Sequence, residues 1–469
     1  MSIRLHDTLT GDVRPLEPVE PGHVRIYSCG PTVYGPAHIG NFRSFLFADL
    51  LVRYLRYRGL RVTWVMNLTD IDDKIIRNAA AEGISTTELA DRFATRFTAD
   101  ADALGMTRPD VLPRATDHVP QIAELVGTLL EKGIAYRTGD GSVFFRIASW
   151  PAYGRLARLD PEAMRVGERV EADEYGKDDV RDFVLWKGPK DGEPSWTTPI
   201  GAGRPGWHVE CSAMSMAHLG PTFDIHTGGE DLVFPHHEDE IAQSEAATGV
   251  PFVRTWLHCA HLRMGGEKMA KSTGNIARVA DLIAAGTSPR ALRYALTSVH
   301  YRAPLNYSDE SLQAAAAAVE RVDALLTALA AYHEDKADDP GLRAMLDGMR
   351  TGFEAGLDDD LNISEALAAL FEGVRDLNRR IDARALSTAD AVAAAAFVRE
   401  LDGVLGIAAP AAEALDAELQ TMLDGRAAAR AARDWAASDR LRDELAARGV
   451  AVEDTRDGQR WRLVVTTDA

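Results

Sequence analysis

Residues 24–67 most constrain what this chain can fold into. Val24 to Cys29 reads as a short β-like run ending in Cys29-Gly30-Pro31-Thr32, and a loop then leads to His38. From Asn41 to Arg58 the apolar residues Phe42, Phe45, Leu46, Leu50, Val52 and Leu55 recur at helical spacing, and Gly59 stops the helix. Arg61 to Asn67 reads as a buried parallel strand. Strand, glycine-bearing turn, helix and strand make a βαβ unit. Such units build doubly wound parallel sheets, which bind ligands at the carboxyl ends of their strands.

A second half of the same sheet begins near Gly206. It runs through a strand at Phe223-Asp224-Ile225-His226 into a turn at Gly228-Gly229. Pro235 then opens a helix from His236 to about Thr248, closed near Gly249. The stretch between the halves is rich in Pro, Gly and charge, with short strands such as Ser142-Val143-Phe144-Phe145, and reads as an insertion. After Asp309 the chain turns Ala-rich and helical. Pro410 and Gly425 punctuate the last part, where a helix from Arg426 to Arg448 precedes a β-like end at Arg460-Trp461-Arg462-Leu463-Val464-Val465.

At 469 residues the chain suggests about three domains. Its 46% hydrophobic and 26% charged residues are those of an ordinary globular protein. The start, Met1-Ser2-Ile3-Arg4-Leu5-His6-Asp7, has no signal-peptide core, and no charge-free run is long enough to span a bilayer. Glu320, Arg321 and Asp323 interrupt the Ala-rich stretch from Gln313 to Ala331, which is therefore an amphipathic helix. Three scattered cysteines make no disulfide framework, so a cytoplasmic location is expected, and the sequon Asn362-Ile363-Ser364 carries no weight. A net charge of −19 argues against a nucleic-acid partner only weakly, because such footprints are local. Arg426, Arg430, Arg433, Arg440, Arg442 and Arg448 stud the tail, as a solvated helix face or as a nucleic-acid footprint.

Two further segments carry chemistry. Pro36-Ala37-His38-Ile39-Gly40-Asn41 places a His, a Gly and an Asn at the start of a helix. Helix N-termini present unpaired N–H groups and collect phosphate, and Gly40 leaves room for a base or ribose. Glu267-Lys268-Met269-Ala270-Lys271-Ser272 follows Gly265-Gly266 and offers two lysines to a developing pyrophosphate. Alone, His38 reads equally as a satisfied loop histidine, and the lysines as a solvated loop. Together they are what splitting a nucleoside triphosphate between its α and β phosphates needs.

These segments resemble the HIGH and KMSKS signatures of class I aminoacyl-tRNA synthetases, with Asn41 for the last His and Ala270 for the first Ser. The surrounding text is similar to that of the cysteinyl-tRNA synthetases: Cys29-Gly30-Pro31-Thr32-Val33-Tyr34, Asn67-Leu68-Thr69-Asp70-Ile71-Asp72-Asp73-Lys74, Gly206-Trp207-His208-Val209-Glu210-Cys211-Ser212, Phe234-Pro235-His236-His237-Glu238 and Asp358-Asp359-Asp360-Leu361-Asn362. The resemblance implies an α/β fold with a Rossmann-like doubly wound parallel sheet and an inserted α+β connective domain. A helical bundle and a small mixed anticodon-binding region follow. The expected boundaries are 1–112 and 204–261 for the two catalytic halves, 113–203 for the insertion contacting the acceptor end, 262–310 for the connector with the lysine loop, 311–408 for the bundle and 409–469 for the anticodon region.

The resemblance also implies one zinc ion in the amino-acid pocket, held by Cys29, Cys211, His236 and Glu240. Spacing supports one piece independently, because His236 and Glu240 are four apart and project from one helix face. Without the resemblance each cysteine reads as a buried core residue. His237, Glu238 and Asp239 are expected to be solvated or to stand behind the ligands, and Cys259, between His258 and His261, to be packing. Thr69, Trp207 and His226 line the cysteine pocket in the family, and Asp231 helps to hold the nucleoside. A pocket alone separates cysteine from serine by only about ten- to a few-hundredfold. A thiolate binds zinc, whereas a hydroxyl is a far poorer ligand.

The implied reaction has two steps. Cysteine attacks the α-phosphate of Mg-ATP, giving cysteinyl-adenylate and pyrophosphate, and the terminal ribose of tRNA(Cys) then takes the acyl group. His38, Asn41, Lys268 and Lys271 would carry the first step, with Gly40 and Ser272 completing the ATP site. Trp435 or Trp461 would stack on an anticodon base. The family is commonly monomeric. Rival readings are a cysteine ligase to an aminosugar, which lacks such a tail, a non-catalytic RNA-binding descendant, and a zinc hydrolase built on His236-His237-Glu238. The tRNA reading further requires a local positive surface along the insertion and tail.

Overall fold

The computed structural model describes residues 2–158, 181–264, 267–268, 276–410, 417–455 and 458–463. The chain divides into two compact units, Met1–Ala408 and Ala409–Ala469.

The first unit is organised by a four-stranded sheet of β1 (His23–Ser28), β2 (Arg61–Met66), β3 (Phe223–Gly229) and β4 (Val253–Cys259), all parallel, in the order β4-β3-β1-β2. The helix α1 (Ile39–Tyr57) links β1 to β2 and buries Phe42, Leu46 and Val52, while Gly59, at φ +78°, turns the chain back toward β2. The second half supplies α2 (Trp207–Leu219) and α3 (Glu238–Thr248). Strand β1 thus has β2, from its own half, on one side and β3, from the other half, on its opposite side. The crevice beyond the carboxyl ends of β1 and β3 is the switch point where such sheets bind ligands.

Two local expectations are corrected here. Gly228 and Gly229 do not turn but end β3, paired with His258 and Cys259 of β4. A side chain at Gly228 would put its Cβ 2.6 Å from the His237 ring, so the glycine lets that imidazole lie on the strand. The helix after Pro235 becomes regular only at Glu238. An irregular turn, Val233–His237, precedes it, with Phe234 extended at φ −140° and ψ 133°.

Between the halves, an antiparallel sheet runs Ala135–Arg137, Val143–Phe145, Phe183–Lys187, Gly201–Pro205 and Trp196–Thr198 in spatial order. The helix Val119–Glu131 contributes Val126 and Leu129 to the core it shares with Phe145, Phe183 and Trp186. After β4, Leu262–Met264 pairs antiparallel with Glu267–Lys268 and parallel with Leu305–Tyr307. The helices Asp309–Ala330, Leu342–Asp358, Ile363–Asp382 and Thr388–Leu405 follow, burying Leu325, Phe353, Leu370 and Leu401.

In the second unit, helices Ala417–Ala431 and Trp435–Ala447 precede the hairpin Val450–Thr455 and Gly458–Leu463, around Leu423, Leu445 and Val450. The single helix expected from Arg426 to Arg448 is therefore two. The chain leaves the first at Arg433, φ +60°, and Asp434 caps the second by accepting the Ala437 N–H at 3.0 Å. An Asp favours a cap over a helix interior, which a reading of arginine spacing misses.

Candidate functional site

Cys29 directly follows β1, Cys211 lies on α2, and His236 and Glu240 lie in and beyond the irregular turn before α3. All four are buried, and one ligand atom from each lies within 4.8 Å of the others. The two sulfurs are 4.0 Å apart, Cys29 Sγ is 3.8 Å from Glu240 Oε1, and His236 Nε2 is 3.1 Å from the same oxygen. Two thiols, an imidazole and a carboxylate at this spacing suit a borderline-soft, four-coordinate ion such as zinc.

Behind them lies a histidine cluster. His226 Nε2 is 3.0 Å from Glu240 Oε2, and His237 Nε2 is 3.3 Å from Cys29 Sγ. Cys29, His226, His237 and Glu240 satisfy the same 4.8 Å criterion as a second quartet sharing two members with the first. His237 is wholly buried, which removes the solvated reading and leaves the other, a residue standing behind the ligands. The irregular turn allows two successive imidazoles to face the same cysteine, which a regular helix would turn apart. Glu238 and Asp239 are buried too. Glu238 accepts the N–H groups of Gly154, Leu156 and Ala157 at 2.7–3.0 Å, and Asp239 accepts the Tyr153 hydroxyl. His208 stands between, with Nε2 3.4 Å from Asp239 and Nδ1 2.9 Å from His236 Nδ1, so it holds the ring of His236 by its far nitrogen.

Burial and the neighbouring Cys211 and Glu240 push the Cys29 thiol well up. Burial also raises Glu240, but His226 and His236 outweigh it and hold the carboxyl at about 2. Burial and the surrounding imidazoles drive His237 well down, so that it is neutral. The hydrogen bond from Cys29 lowers Cys211 to about 6 against burial. Burial lowers His236, but Cys211 and Glu240 outweigh it and raise the imidazole to about 10. Charge is thus concentrated on Cys211, Glu240 and His236, while Cys29 and His237 are uncharged.

Beside the cluster opens a cleft of about 360 Å³, bounded by Cys29, Tyr34, His38, Asn41, Trp207 and His261. His38 is the N-cap of α1. Its Nδ1 accepts the Asn41 N–H at 3.2 Å, and the Asn41 side-chain oxygen accepts the His38 N–H at 3.1 Å. This reciprocal arrangement is a capping box. A Cβ on Gly40 would sit 3.0 Å from His38 Nδ1, so the glycine makes room for that ring rather than for open space. Trp207 is 39% exposed, which removes the core reading, and stacks on His236 with centroids 4.4 Å apart. Asp231, also at the cleft, lies 4.0 Å from His261 Nδ1.

Thr69 is buried and accepts the Asn67 amide at 3.0 Å, beside the loop after β1 through the bridge Thr32 to Thr69. Neither Thr69 nor His226 lines the cleft. Lys268 is described for its backbone, paired with Arg263; Lys271 and Ser272 lie outside the described residues. Cys259 is buried, its thiol pushed up to about 11 by burial, and it belongs to neither quartet. Sequence reasoning missed Lys74, the one Lys or Arg among the described residues lining the cleft. Its ammonium lies 5.5 Å from the centre of the Tyr34 ring. The signal was present, because Asp72 caps the helix Asp73–Glu82 and so sets Lys74 in its first turn.

Comparison with known proteins adds the following. The family described as tRNA synthetases class I (C) catalytic domain matches residues 15–317, the DALR domain 352–409, and the Cysteinyl-tRNA ligase anticodon binding domain 412–462. The chain is 45% identical over 470 residues to the Cysteine–tRNA ligase of Solibacter usitatus, covering 98% of this chain and 100% of that one. It is 47% identical to that of Alkalilimnicola ehrlichii, covering 98% and 99%. Among solved structures, Mycobacterium tuberculosis methionyl-tRNA synthetase with methionyl-adenylate superposes with a TM-score of 0.57 at 19% identity, over 82% of this chain and 90% of that chain. The Agrobacterium radiobacter LeuRS in its ternary complex gives 0.59 at 14% identity, over 83% and 85%. These two likenesses bear on the fold alone.

Proposed function

Because the chain belongs to the cysteine–tRNA ligase family, we propose that it joins L-cysteine to tRNA(Cys) at the expense of ATP, through cysteinyl-adenylate. The observation that carries this reading is the junction of a thiol-rich cluster with a cleft that opens on a helix N-terminus. The cluster suits recognition of a thiol, and the N-terminus suits phosphate. The anticodon-domain match at residues 412–462 and relatives matched end to end disfavour both an aminosugar ligase and a non-catalytic descendant.

In this reading Cys29, Cys211, His236 and Glu240 hold zinc. Bound there, the ion would accept the substrate sulfur as thiolate, the chemistry that separates cysteine from serine. Trp207 closes over the substrate from the cleft side, while Thr69 and His226 support the pocket from behind. The N-terminus of α1, with His38, Gly40 and Asn41, receives the phosphates of ATP, which enters with Mg2+. Lys268 and Lys271 neutralise the departing pyrophosphate, Ser272 completes the ATP site, and Asp231 holds the nucleoside. No side chain becomes covalently attached. Orientation of the cysteine carboxylate against the α-phosphate, and fixed positive charge, supply the rate.

We further propose residues 1–112 and 204–261 as the catalytic halves, 113–203 as the acceptor-end insertion, 262–310 as the connector, 311–408 as the bundle and 409–469 as the anticodon reader. We propose a monomer working in the cytoplasm; no helix among the described residues is long and apolar enough to cross a membrane. Cysteine-dependent ATP–pyrophosphate exchange on metal-replete protein, with serine as control, tests the first step. Exchange with cysteine alone, followed by charging of purified tRNA and not of an aminosugar, is the expected result. A verified zinc-loaded protein without exchange would overturn the reading, and hydrolysis without ATP would point to the metal hydrolase.

A further inference from the structure

The turn after the helix Leu342–Asp358 is unusual. Asp360 and Leu361 stand in succession at φ +57° and +53°, a region that L side chains seldom enter. What holds them there is a buried set of contacts centred on the Asp360 carboxylate, which is 3% exposed. Its Oδ1 accepts the His6 N–H at 2.8 Å and the Tyr301 hydroxyl at 2.6 Å. Its Oδ2 accepts Arg302 Nε at 2.7 Å. The Asp360 N–H in turn donates to the Arg4 carbonyl at 2.9 Å.

These partners lead to the cleft. The Tyr301 carbonyl accepts the N–H of Ala260 at 2.7 Å, and the Leu305 N–H donates to the His261 carbonyl at 3.1 Å. Ala260, His261 and Leu262 line the cleft, as do His38 and Asn41. Leu305–Tyr307 is also the parallel neighbour of Leu262–Met264, whose other neighbour is the strand Glu267–Lys268. Arg43 of α1 clamps the same segment by donating to the carbonyls of Ala260, Leu296, His300 and Ala303 at 2.6–3.3 Å. The Tyr301 ring stacks on Phe47, one turn further along α1, with centroids 4.3 Å apart.

We propose that Asp360, from the helical part of the chain, is a positioning residue for the nucleotide side of the cleft. It holds Tyr301 and Arg302, through them the wall Ala260–Leu262, and through the shared sheet the strand that presents Lys268. It touches none of the residues of the thiol cluster. The inference rests on the reading of this cleft as the ATP site. Its signature is a selective one: loss of the Asp360 charge impairs the use of ATP and spares cysteine and the metal.

The test is Asp360→Asn in the full-length, zinc-loaded chain, with Tyr301→Phe as a milder second variant should the first fold poorly. Cysteine-dependent ATP–pyrophosphate exchange gives separate kinetic constants for ATP and for cysteine, and zinc per chain is measured alongside. The expected result for Asp360→Asn is a rise of about tenfold in KM for ATP, or an equal fall in kcat/KM for ATP. KM for cysteine and zinc content should stay at the wild-type values. Tyr301→Phe should shift the ATP constants in the same direction by about threefold. A merely structural role would lower the active fraction and melting temperature, leave both KM values unchanged, and overturn the proposal. So would a parallel loss toward both substrates. Absence of exchange in the wild type would instead remove the ATP reading itself, so the two failures are distinguishable.

Discussion

Asp49 and Arg293 are each at most 1% exposed at their side chains, and Arg293 Nη2 donates to Asp49 at 2.6 Å. Burial raises the Asp49 carboxyl, but Arg293 and Arg53 outweigh it and leave it below the usual carboxylate range. Its folded value therefore lies below its unfolded one. The stabilisation is complete above about pH 4 and drains away as pH falls through the folded value. Asp49→Asn should cost about 3 kcal/mol in urea unfolding at neutral pH, because Arg293 is left buried without its counter-charge. The same variant should unfold less steeply on the acid side. Two site predictions belong to this scale as well. His208→Ala, which frees the far nitrogen of His236, should weaken zinc binding by about 10- to 100-fold in chelator competition. Lys74→Ala should raise KM for ATP by about tenfold, with Lys74→Arg retaining most of the wild-type value, since a cation in a phosphate-binding cleft works through charge.

At the scale of elements, the cap of α1 serves two ends. Asn41 closes the capping box and also sits where phosphate would approach. A carboxylate at that position can accept the same His38 N–H and favours a helix start. Asn41→Asp should therefore keep the melting temperature within a few degrees and yet abolish most ATP–pyrophosphate exchange, because it sets negative charge against the phosphates. The βαβ unit was legible because its pattern is local: apolar spacing on α1, Gly59 at its end, a β-branched run after it. Cys29, Cys211, His236 and Glu240 came from resemblance, with only His236 and Glu240 supported by spacing. His237 was not legible, since its aim depends on an irregular turn and on the empty face of Gly228. Neither was Asp360, whose partners His6, Tyr301 and Arg302 lie far away in the chain and obey no periodicity.

At the scale of the whole molecule, an acidic chain must meet an acidic RNA. Several arginines of the tail are engaged internally: Arg426 and Arg430 with Asp454, Arg442 with Asp439, Arg448 with Glu418. Arg433 and Arg440 are exposed, as is Trp435 at 56%, with Arg430 5.5 Å from its ring centre. Trp435→Ala should lower kcat/KM for tRNA by about tenfold and leave cysteine-dependent exchange unchanged, as the loss of one base-stacking surface would. The long span between Cys29 and Cys211 has a different consequence. They are 182 positions apart, one in each half of the sheet, with their sulfurs 4.0 Å from each other. Stripped of metal and exposed to hydrogen peroxide, one thiol would become a sulfenic acid and the other would displace water from it. The resulting staple would bridge the whole insertion and remove two of the four proposed metal ligands. Zinc starvation and oxidative stress would then act on the same two atoms, halting the supply of cysteine-charged tRNA until a reductant reopened the bond.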